Sequence, residues 1–355
     1  MKEYRIGILV GDGIGPEIIA ATKRVWQYAL AKEEISYTWV ELPMGLAAIK
    51  NEHNPLPQKT IDELKGCDGW LMGPHDSASY PHPFNKRRNP SGQVRKQFDL
   101  YANIRPAKTI VGLTSFVKEA DLVICRENTE GFYSDRNMFG GSGEWQVTED
   151  VVISAGVFSR TAIERIAHEA CRLAMKRKKK LTIVHKANVI THGMGMFRNC
   201  CMEVAKQYPE LIVDEFHIDA MVAHLVRSAH AFDVIVTENM YGDILSDLTG
   251  ELVGSLGLAP SINCNQQQAM AQAAHGSAPD IAGKNIANPM GMMQSAIMLT
   301  LWLAEKYEDD RLHLVANTIE QAIFSVIRSG VKTIDLGGHA TTTEFTQAVI
   351  QMMEG

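Results

Sequence analysis

Two aspartates four residues apart, Asp243 and Asp247, have the spacing of a metal site on a helix. They follow a short apolar segment, Phe232–Thr237, that has the composition of a buried strand. If a helix begins near Gly242, the two carboxylates project from one face of it, one turn apart. Such a pair repels unless a cation lies between the two groups or one takes up a proton, and oxygen ligands suit Mg²⁺ or Mn²⁺. The spacing alone leaves a second interpretation open, in which both acids belong to the solvated first turn of a helix.

Three arginines, Arg95, Arg105 and Arg126, lie at the ends of patterned segments. Arg126 comes directly after the apolar segment Leu122–Cys125, at the end of a strand where ligands of open α/β sheets bind. Planar guanidinium groups bind carboxylates through two parallel hydrogen bonds. Each arginine alone is more often a surface ion pair, so the three indicate a carboxylate site only as a set.

Tyr133 and Lys186 are candidates for proton transfer, in the segments Thr129–Tyr133 and Val184–Asn188. They exchange protons with a substrate only if a metal or other cations lower their pKa values toward the working pH. The neighbouring His185 is interpreted as a structural histidine.

Two glycine-rich segments indicate a close approach of the backbone to a ligand. Gly11–Pro16 is not a G-x-G-x-x-G motif, because Pro16 stands where the last glycine is required, and it supports only a tight turn. His275–Gly283, followed by Asn288, is small and polar. An acid in such a loop accepts hydrogen bonds from both ribose hydroxyls of a nucleotide and repels a 2′-phosphate. By itself this loop is equally compatible with an ordinary connection.

The elements that carry these residues alternate between strand and helix. Tyr4–Val10 is predicted as a strand, and Pro16 begins a helix with an apolar face that includes Ile18 and Trp26. Apolar segments that predict further strands follow at Gly69–Met72, Leu122–Cys125, Leu181–His185 and Phe232–Thr237. The alternation predicts an α/β fold with a largely parallel sheet.

The composition favours a metabolic protein. The chain has 355 residues, 45% of them hydrophobic, and a net charge of −6, which indicates two domains or one large domain with a second lobe. We expect a cytoplasmic protein with no nucleic-acid or membrane partner and with its six cysteines as free thiols. The basic run Met175–Lys180 is expected to end a helix, where cations complement the helix dipole.

In combination and in this order, these motifs resemble the isocitrate/isopropylmalate dehydrogenase family, the β-decarboxylating dehydrogenases. The similarity spans nearly the whole chain and rests on GDGIGPEI, LYANIRP, RENTEGFY, HKANVI, the Asp243–Asp247 segment, HGSAPDIAG with the following NP, and DLGGHATTTEF. The resemblance implies a large α/β domain that binds the cofactor, residues 1–99 and 255–355. It implies a smaller α/β domain, residues 100–254, with the dimer interface and a clasp arm at about 134–152. A homodimer with a shared active site, or a tetramer of such dimers, is expected.

The resemblance also implies roles for single residues. Lys186 takes the substrate hydroxyl proton as hydride leaves to NAD, and Tyr133 protonates the enolate that forms when CO₂ departs. The Mg²⁺ or Mn²⁺ ligands are Asp243 and Asp247, with Asp219 arriving from the neighbouring subunit together with Lys186. The substrate ligands are Asn89, Ser91, Arg95, Arg105, Arg126 and Tyr133. The cofactor ligands are Asn188, His275, Gly276, Ser277, Ala278, Asp280, Ile281 and Asn288. Asp280-Ile281 indicates NAD, because NADP-using relatives carry a Lys-Tyr pair there.

The segment before Arg95 indicates the substrate. Isopropylmalate enzymes place two leucines where this chain has Ser91 and Gly92, and isocitrate enzymes carry an Asn and a Ser at the positions of Ser91 and Asn89. The expectation is therefore NAD-dependent oxidative decarboxylation of a 3-substituted malate with a polar substituent, such as isocitrate or a homoisocitrate-like acid.

Two alternatives stay open. One is 3-isopropylmalate, tartrate or malate as the substrate. The other is a non-catalytic regulatory subunit, although such subunits tend to lack the tyrosine, lysine or aspartates that this chain retains. Two segments depart from the family pattern: Ser79–Asn89, and Gln272–Ala274, which stands where relatives usually have Glu-Pro-Val.

Overall fold

The computed structural model describes residues 2–86, 88–133, 141 and 143–354. Its strands are β1 (Tyr4–Leu9), β2 (Tyr37–Leu42), β3 (Gly69–Met72), β4 (Ala102–Lys108), β5 (Asp121–Glu127), β6 (Glu144–Thr148), β7 (Val151–Ser154), β8 (Lys180–His185), β9 (Ile212–His217), β10 (Val234–Thr237), β11 (Ile262–Cys264) and β12 (Ala269–Ala271). Its helices are α1 (Gly15–Lys32), α2 (Gly45–Glu52), α3 (Gln58–Leu64), α4 (Pro90–Gln97), α5 (Arg160–Met175), α6 (Gly193–Ala205), α7 (Ile218–Ser228), α8 (Asn239–Val253), α9 (Met290–Tyr307), α10 (Asp310–Arg328) and α11 (Thr342–Glu354). The predicted α/β alternation is confirmed.

The chain divides into two compact units. Unit one comprises Met1–Val94, Ile110–Thr114 and Gly254–Gly355, and unit two comprises Arg95–Thr109 and Ser115–Val253. The assignment of the cofactor to the large domain, and of the dimer interface to the small one, stays a prediction.

Unit one is built around β1. This strand pairs in parallel with β2 and β3, β3 pairs in parallel with β12, and β12 pairs antiparallel with β11. Helix α1 carries Pro16 in its first turn, as predicted, and its face with Ile18, Ile19, Val25 and Trp26 is at most 1% exposed.

Unit two is built around β5, β10 and β8. β5 pairs antiparallel with β4 and in parallel with β10, while β10, β8 and β9 pair in parallel. The predicted largely parallel arrangement holds apart from β4 here and β11 in unit one, which run antiparallel to their partners. The carboxyl ends of β5, β10, β8 and β9 therefore meet at one edge of the sheet, where ligands of such sheets bind.

Strands β6 and β7 form an antiparallel hairpin in the segment predicted as an arm. Its residues are exposed, and among them Trp145, Val147, Val152 and Ile153 are each more than half exposed. Residues 134–140 and 142 of the predicted arm lie outside the described residues. The described part is a hairpin and not a core helix.

The basic run ends α5 and enters β8. Arg177 pairs with Asp121 and Asp233, and Lys180 pairs with Asp214. The six cysteines are free thiols and are buried. Across the described ranges, no helix is both long and apolar enough to cross a membrane.

Candidate active site

The carboxyl edge of the unit-two sheet collects predicted catalytic residues, a predicted substrate ligand and predicted metal ligands. Arg126 lies near the end of β5 and Tyr133 in the loop after it, Asp243 follows β10, Lys186 follows β8, and Asp219 follows β9. The strand order β5-β10-β8-β9 groups them in two sets: one with Arg126, Tyr133 and Asp243, the other with Lys186 and Asp219.

Helix α8 holds the two predicted metal ligands. It begins at Asn239, three residues before the predicted start at Gly242. The Glu238 carboxylate accepts hydrogen bonds from the backbone N–H groups of Met240 (3.0 Å) and Tyr241 (2.7 Å), and so stabilises this earlier start. Asp243 and Asp247 remain one turn apart, as the spacing predicted.

Arg126 is fixed by buried partners and is only 2% exposed. It donates to the Asn239 side-chain oxygen from Nε (2.9 Å) and Nη2 (2.7 Å), and from Nη1 to the Asp243 carboxylate. Gly242 makes this packing possible, because a Cβ at that residue would lie 2.6 Å from Arg126 Cγ. The glycine is required here for close approach and not for backbone conformation.

Arg105 contacts the same aspartates from β4. Its Nε donates to Asn103 Oδ1 (2.6 Å) and its Nη1 to Ser246 Oγ (2.7 Å). The same Nη1 lies 3.2 Å from Asp243 Oδ1 and 3.5 Å from Asp247 Oδ1. A guanidinium held by neutral partners on one side presents its charge to carboxylates on the other.

Burial and neighbouring charges shift the pKa values of the side chains in this cluster. Burial, assisted by the charge of Arg105, lowers the pKa of Arg126 to about 10. Burial alone would raise the pKa of Asp243, but the charges of Arg126 and Arg105 outweigh it and the pKa is lowered. Burial raises the pKa of Asp247, and the charge of Asp243 adds to the increase. The two carboxylates thus repel each other and are held together by arginines.

Two further predicted residues border the cluster. The Tyr133 hydroxyl donates to Asp243 Oδ2 (3.3 Å), and the guanidinium carbon of Arg126 lies 5.9 Å from the centre of the Tyr133 ring. Arg95 donates to Asn128 Oδ1 (3.4 Å), and the Asn128 amide –NH₂ donates to the Leu100 carbonyl (2.9 Å). Unit two therefore brings three arginines, a tyrosine and two aspartates to one edge of its sheet.

Lys186 and Asp219 form the second set. Lys186 Nζ donates to Asp219 Oδ1 (2.6 Å), and this bond lowers the pKa of the aspartate. The lysine side chain is 23% exposed and the aspartate side chain 69% exposed, so both are open to a partner molecule.

The carboxylate oxygens at Asp243 and Asp247 fit a hard divalent cation, which would offset both the burial that raises the pKa of Asp247 and the repulsion from Asp243 that adds to it. Asp219 does not join them within one chain. Among the described residues, the one group of three close potential metal ligands is Glu164, Cys200 and Glu203. Both of its glutamates already pair with Arg160.

Unit one contains a separate cavity of about 240 Å³. Five predicted cofactor ligands line it: His275, Gly276, Ala278, Ile281 and Asn288. The buried Nε2 of His275 has no hydrogen-bond partner within the described chain, and it lines the cavity together with the apolar side chains of Ile281 and Ile286. An unsatisfied polar atom beside apolar surface fits a heteroaromatic ring.

The other predicted cofactor ligands lie outside the cavity lining. Ser277 is 7% exposed and its carbonyl accepts a hydrogen bond from the N–H of Ile14 (2.9 Å), while Asp280 and Asn188 are exposed. The sequence interpretation missed five lining residues: Ile14, Ser255, Gly257, Ile286 and Asp335. Ile14 had a signal, since it lies in the tight turn of Gly11–Pro16.

The residues before Arg95 make polar contacts at the start of α4. Ser91, which is 3% exposed, donates to Gln272 Oε1 (2.9 Å), and Gln272 Nε2 donates to the Gly73 carbonyl (3.4 Å). Asn89 Oδ1 accepts from the N–H of Gly92 (2.7 Å), which leaves its amide –NH₂ as a donor. Gln272, a departure from the family pattern, is thus the partner of a predicted substrate ligand.

Comparison with known proteins agrees with this geometry. Residues 5–349 match the sequence profile of the family described as isocitrate/isopropylmalate dehydrogenase. An isocitrate/homoisocitrate dehydrogenase of Thermus thermophilus is 40% identical over 356 residues, with 99% of each chain covered. A 3-isopropylmalate dehydrogenase of Saccharolobus solfataricus is 36% identical over 351 residues, again with 99% of each covered. The crystal structure of isocitrate dehydrogenase from Methylococcus capsulatus superposes with a TM-score of 0.88 at 33% identity, covering 99% of this chain and 100% of the other. The chain belongs to the isocitrate/isopropylmalate dehydrogenase family of decarboxylating dehydrogenases.

Proposed function

We propose that this enzyme oxidises and decarboxylates a 3-substituted malate with a polar substituent, isocitrate or a homoisocitrate-like acid, with NAD and Mg²⁺ or Mn²⁺. The observation that carries the proposal is the cluster in which Arg105 and Arg126 contact Asp243. Arginines recognise substrate carboxylates, and the aspartates supply the oxygen ligands of a cation that binds the same substrate.

A divalent cation held by Asp243 and Asp247 would polarise the hydroxyl oxygen on the carbon that is oxidised and stabilise negative charge on that oxygen, and NAD would accept the hydride from the carbon. The chain's own residues do the rest. Arg105 and Arg126, each held by neutral side chains, offer to the substrate carboxylates the N–H groups that face the aspartates, and so orient the acid. Lys186 accepts the hydroxyl proton, and Tyr133 returns a proton to the carbon that loses CO₂.

The preference for a polar substituent rests on Ser91 and Asn89. Ser91 lies one turn before Arg95 on α4 and is bound to Gln272, where leucines would present an apolar surface. An isopropyl group placed against Asn89 would leave the amide –NH₂ of that residue without an acceptor, which costs on the order of 1–3 kcal/mol. The relative at 40% identity, named for isocitrate and homoisocitrate, supports the same choice.

The preference for NAD rests on Asp280, an exposed carboxylate in the loop whose neighbours line the unit-one cavity. Its negative charge repels the 2′-phosphate of NADP and accepts hydrogen bonds from the ribose hydroxyls of NAD.

The homodimer is the second part of the proposal. Asp219 does not join Asp243 and Asp247 within one chain, and Lys186 and Asp219 form an exposed pair. We assign that pair to the partner's site. The exposed apolar hairpin of β6 and β7 is the surface that a second copy would cover. We expect the dimer to work in the cytoplasm.

A panel of acids tests the proposal. NADH formation is followed with isocitrate, homoisocitrate, 3-isopropylmalate, tartrate and malate, each with Mg²⁺ and with Mn²⁺, and repeated with NADP. We expect turnover of isocitrate or homoisocitrate, kcat/KM at least about tenfold higher than for isopropylmalate, and loss of activity with a chelator. Turnover of isopropylmalate alone would overturn the substrate assignment, and no turnover of any acid would favour a non-catalytic subunit.

A further inference from the structure

We infer that His185 is a positioning residue for Lys186: its ring holds the backbone immediately after the lysine and so directs the ammonium group toward Asp219. The inference rests on the proposed role of Lys186 in proton transfer.

His185 is the last residue of β8 and is 2% exposed. Its Nδ1 accepts a hydrogen bond from the backbone N–H of Ala187 (3.1 Å), so the ring bridges the peptide on the far side of Lys186. The Lys186 carbonyl accepts in turn from the N–H groups of Val189 (3.1 Å) and Ile190 (2.9 Å). The lysine backbone is thus fixed on both sides, while its side chain reaches Asp219 (2.6 Å).

The bond to Ala187 also determines the tautomer of His185. A backbone N–H can only donate, so Nδ1 carries no proton and Nε2 does. Nε2 lies 3.8 Å from Glu215 Oε2, on the adjacent strand β9. Arg198 holds that carboxylate through two contacts, Nε to Oε2 (2.6 Å) and Nη2 to Oε1 (2.8 Å). Burial lowers the pKa of His185, which favours the neutral ring that this arrangement needs.

Strands β8 and β9 also position Lys186 and Asp219. In the β8–β9 register His185 lies opposite His217, and their rings meet edge to face with centres 5.3 Å apart. Lys186 follows the first histidine directly, and Asp219 follows the second by two residues. A ring that ties the end of β8 to its own loop therefore acts on the geometry of the lysine and aspartate together.

Two amide substitutions at His185 distinguish a role in positioning Lys186 from a role in packing alone. In His185→Asn the side-chain oxygen replaces Nδ1 and can still accept from Ala187, while in His185→Gln the amide replaces Nε2 and cannot. With isocitrate, Mn²⁺ and NAD, we expect His185→Asn to retain kcat within about threefold of wild type. We expect His185→Gln to lose at least about tenfold in kcat, with KM changed less than about twofold.

Lys186→Met and the melting temperatures complete the experiment. If Lys186→Met is inactive, two results would overturn the positioning role of His185. One is equal kcat values in the Asn and Gln variants, and the other is a loss of kcat that follows a fall in melting temperature. Turnover retained by Lys186→Met, or absent in the wild type, would instead overturn the proposed function and the inference with it.

Discussion

The guanidinium of Arg126 donates a hydrogen bond to the carboxylate of Asp243, so a predicted substrate ligand and a predicted metal ligand neutralise each other. A cation bound to Asp243 would free Nη1 of Arg126 for a substrate carboxylate, while Asn239 keeps the guanidinium in place. Metal binding and substrate binding should therefore be coupled. A metal on Asp243 frees Arg126 for the substrate, and a substrate on Arg126 frees Asp243 for the metal.

The coupling is measurable by calorimetry. We expect Mn²⁺ to tighten the binding of isocitrate by at least about fivefold, and isocitrate to tighten Mn²⁺ by the same factor. Asp243→Asn should abolish the coupling and lower kcat at least about a hundredfold. Glu119→Gln, an exposed change just before β5 and at the opposite end of that strand from Arg126, is the matched control and should behave as wild type. If the wild type binds isocitrate equally well with and without Mn²⁺, the two sites are not coupled and the prediction is wrong.

Gly242 sets the position of Arg126. A methyl group at this residue would lie 2.6 Å from Arg126 Cγ, so Gly242→Ala must displace the arginine side chain. We expect kcat/KM for isocitrate to fall at least about tenfold. Gly195→Ala is the matched control, since it also lies in a helix but its Cβ would meet nothing within 4 Å, and it should gain about 0.5–1 kcal/mol in stability. Full activity in Gly242→Ala would show that Arg126 does not need this position.

Glu127 should make the protein less stable as pH rises toward neutrality. Burial raises its pKa from 4.5 to about 7, against hydrogen bonds from Thr129 and Glu130. Between these two values the unfolded chain releases the proton and the folded protein retains it, so stability falls as pH rises through this window. Above pH 7 the loss is complete, on the order of 3 kcal/mol from this group.

The measurement is urea unfolding of wild type and Glu127→Gln at pH 5 and pH 7.5, at equal protein concentration. The variant should show a smaller drop in unfolding free energy than the wild type over this range. Parallel pH profiles for the two proteins would mean that Glu127 is ionised in the folded state throughout.

The cofactor loop gives a prediction about coenzyme choice. Wild type should prefer NAD over NADP by at least about a hundredfold in kcat/KM, because Asp280 repels the 2′-phosphate. The double change Asp280→Lys and Ile281→Tyr should reverse the sign of that charge and reduce the preference at least about tenfold. The measurement is kcat/KM with each coenzyme. An unchanged NAD/NADP ratio of kcat/KM in the double variant would place coenzyme specificity elsewhere.

Local pattern predicted much of this protein. The strand at Gly69–Met72 has the predicted bounds, the apolar face of α1 is buried, and Asp243 and Asp247 lie one turn apart on a helix. These features depend on periodicity and spacing within a few residues, which the sequence displays directly.

Contacts between distant segments could not be predicted in the same way. Ser91 and Gln272 are 181 residues apart in the chain, and their hydrogen bond exists only because the fold of unit one brings them together. Asp335 lines the unit-one cavity, although its segment, DLGGHATTTEF, gave no indication of that position. The early start of α8 depends on Glu238, whose side chain caps the helix three residues before the predicted start at Gly242.

Subunit mixing tests the central claim, an active site shared between two copies of the chain. Asp219→Asn and Asp243→Asn proteins, each inactive alone, are unfolded together and refolded as a mixture. If Asp219 serves the partner's site, each heterodimer holds one intact site, and random mixing should restore about a quarter of wild-type activity. If Asp219 and Asp243 act within one chain, no heterodimer holds an intact site, and a mixture as inactive as its parents would contradict the account.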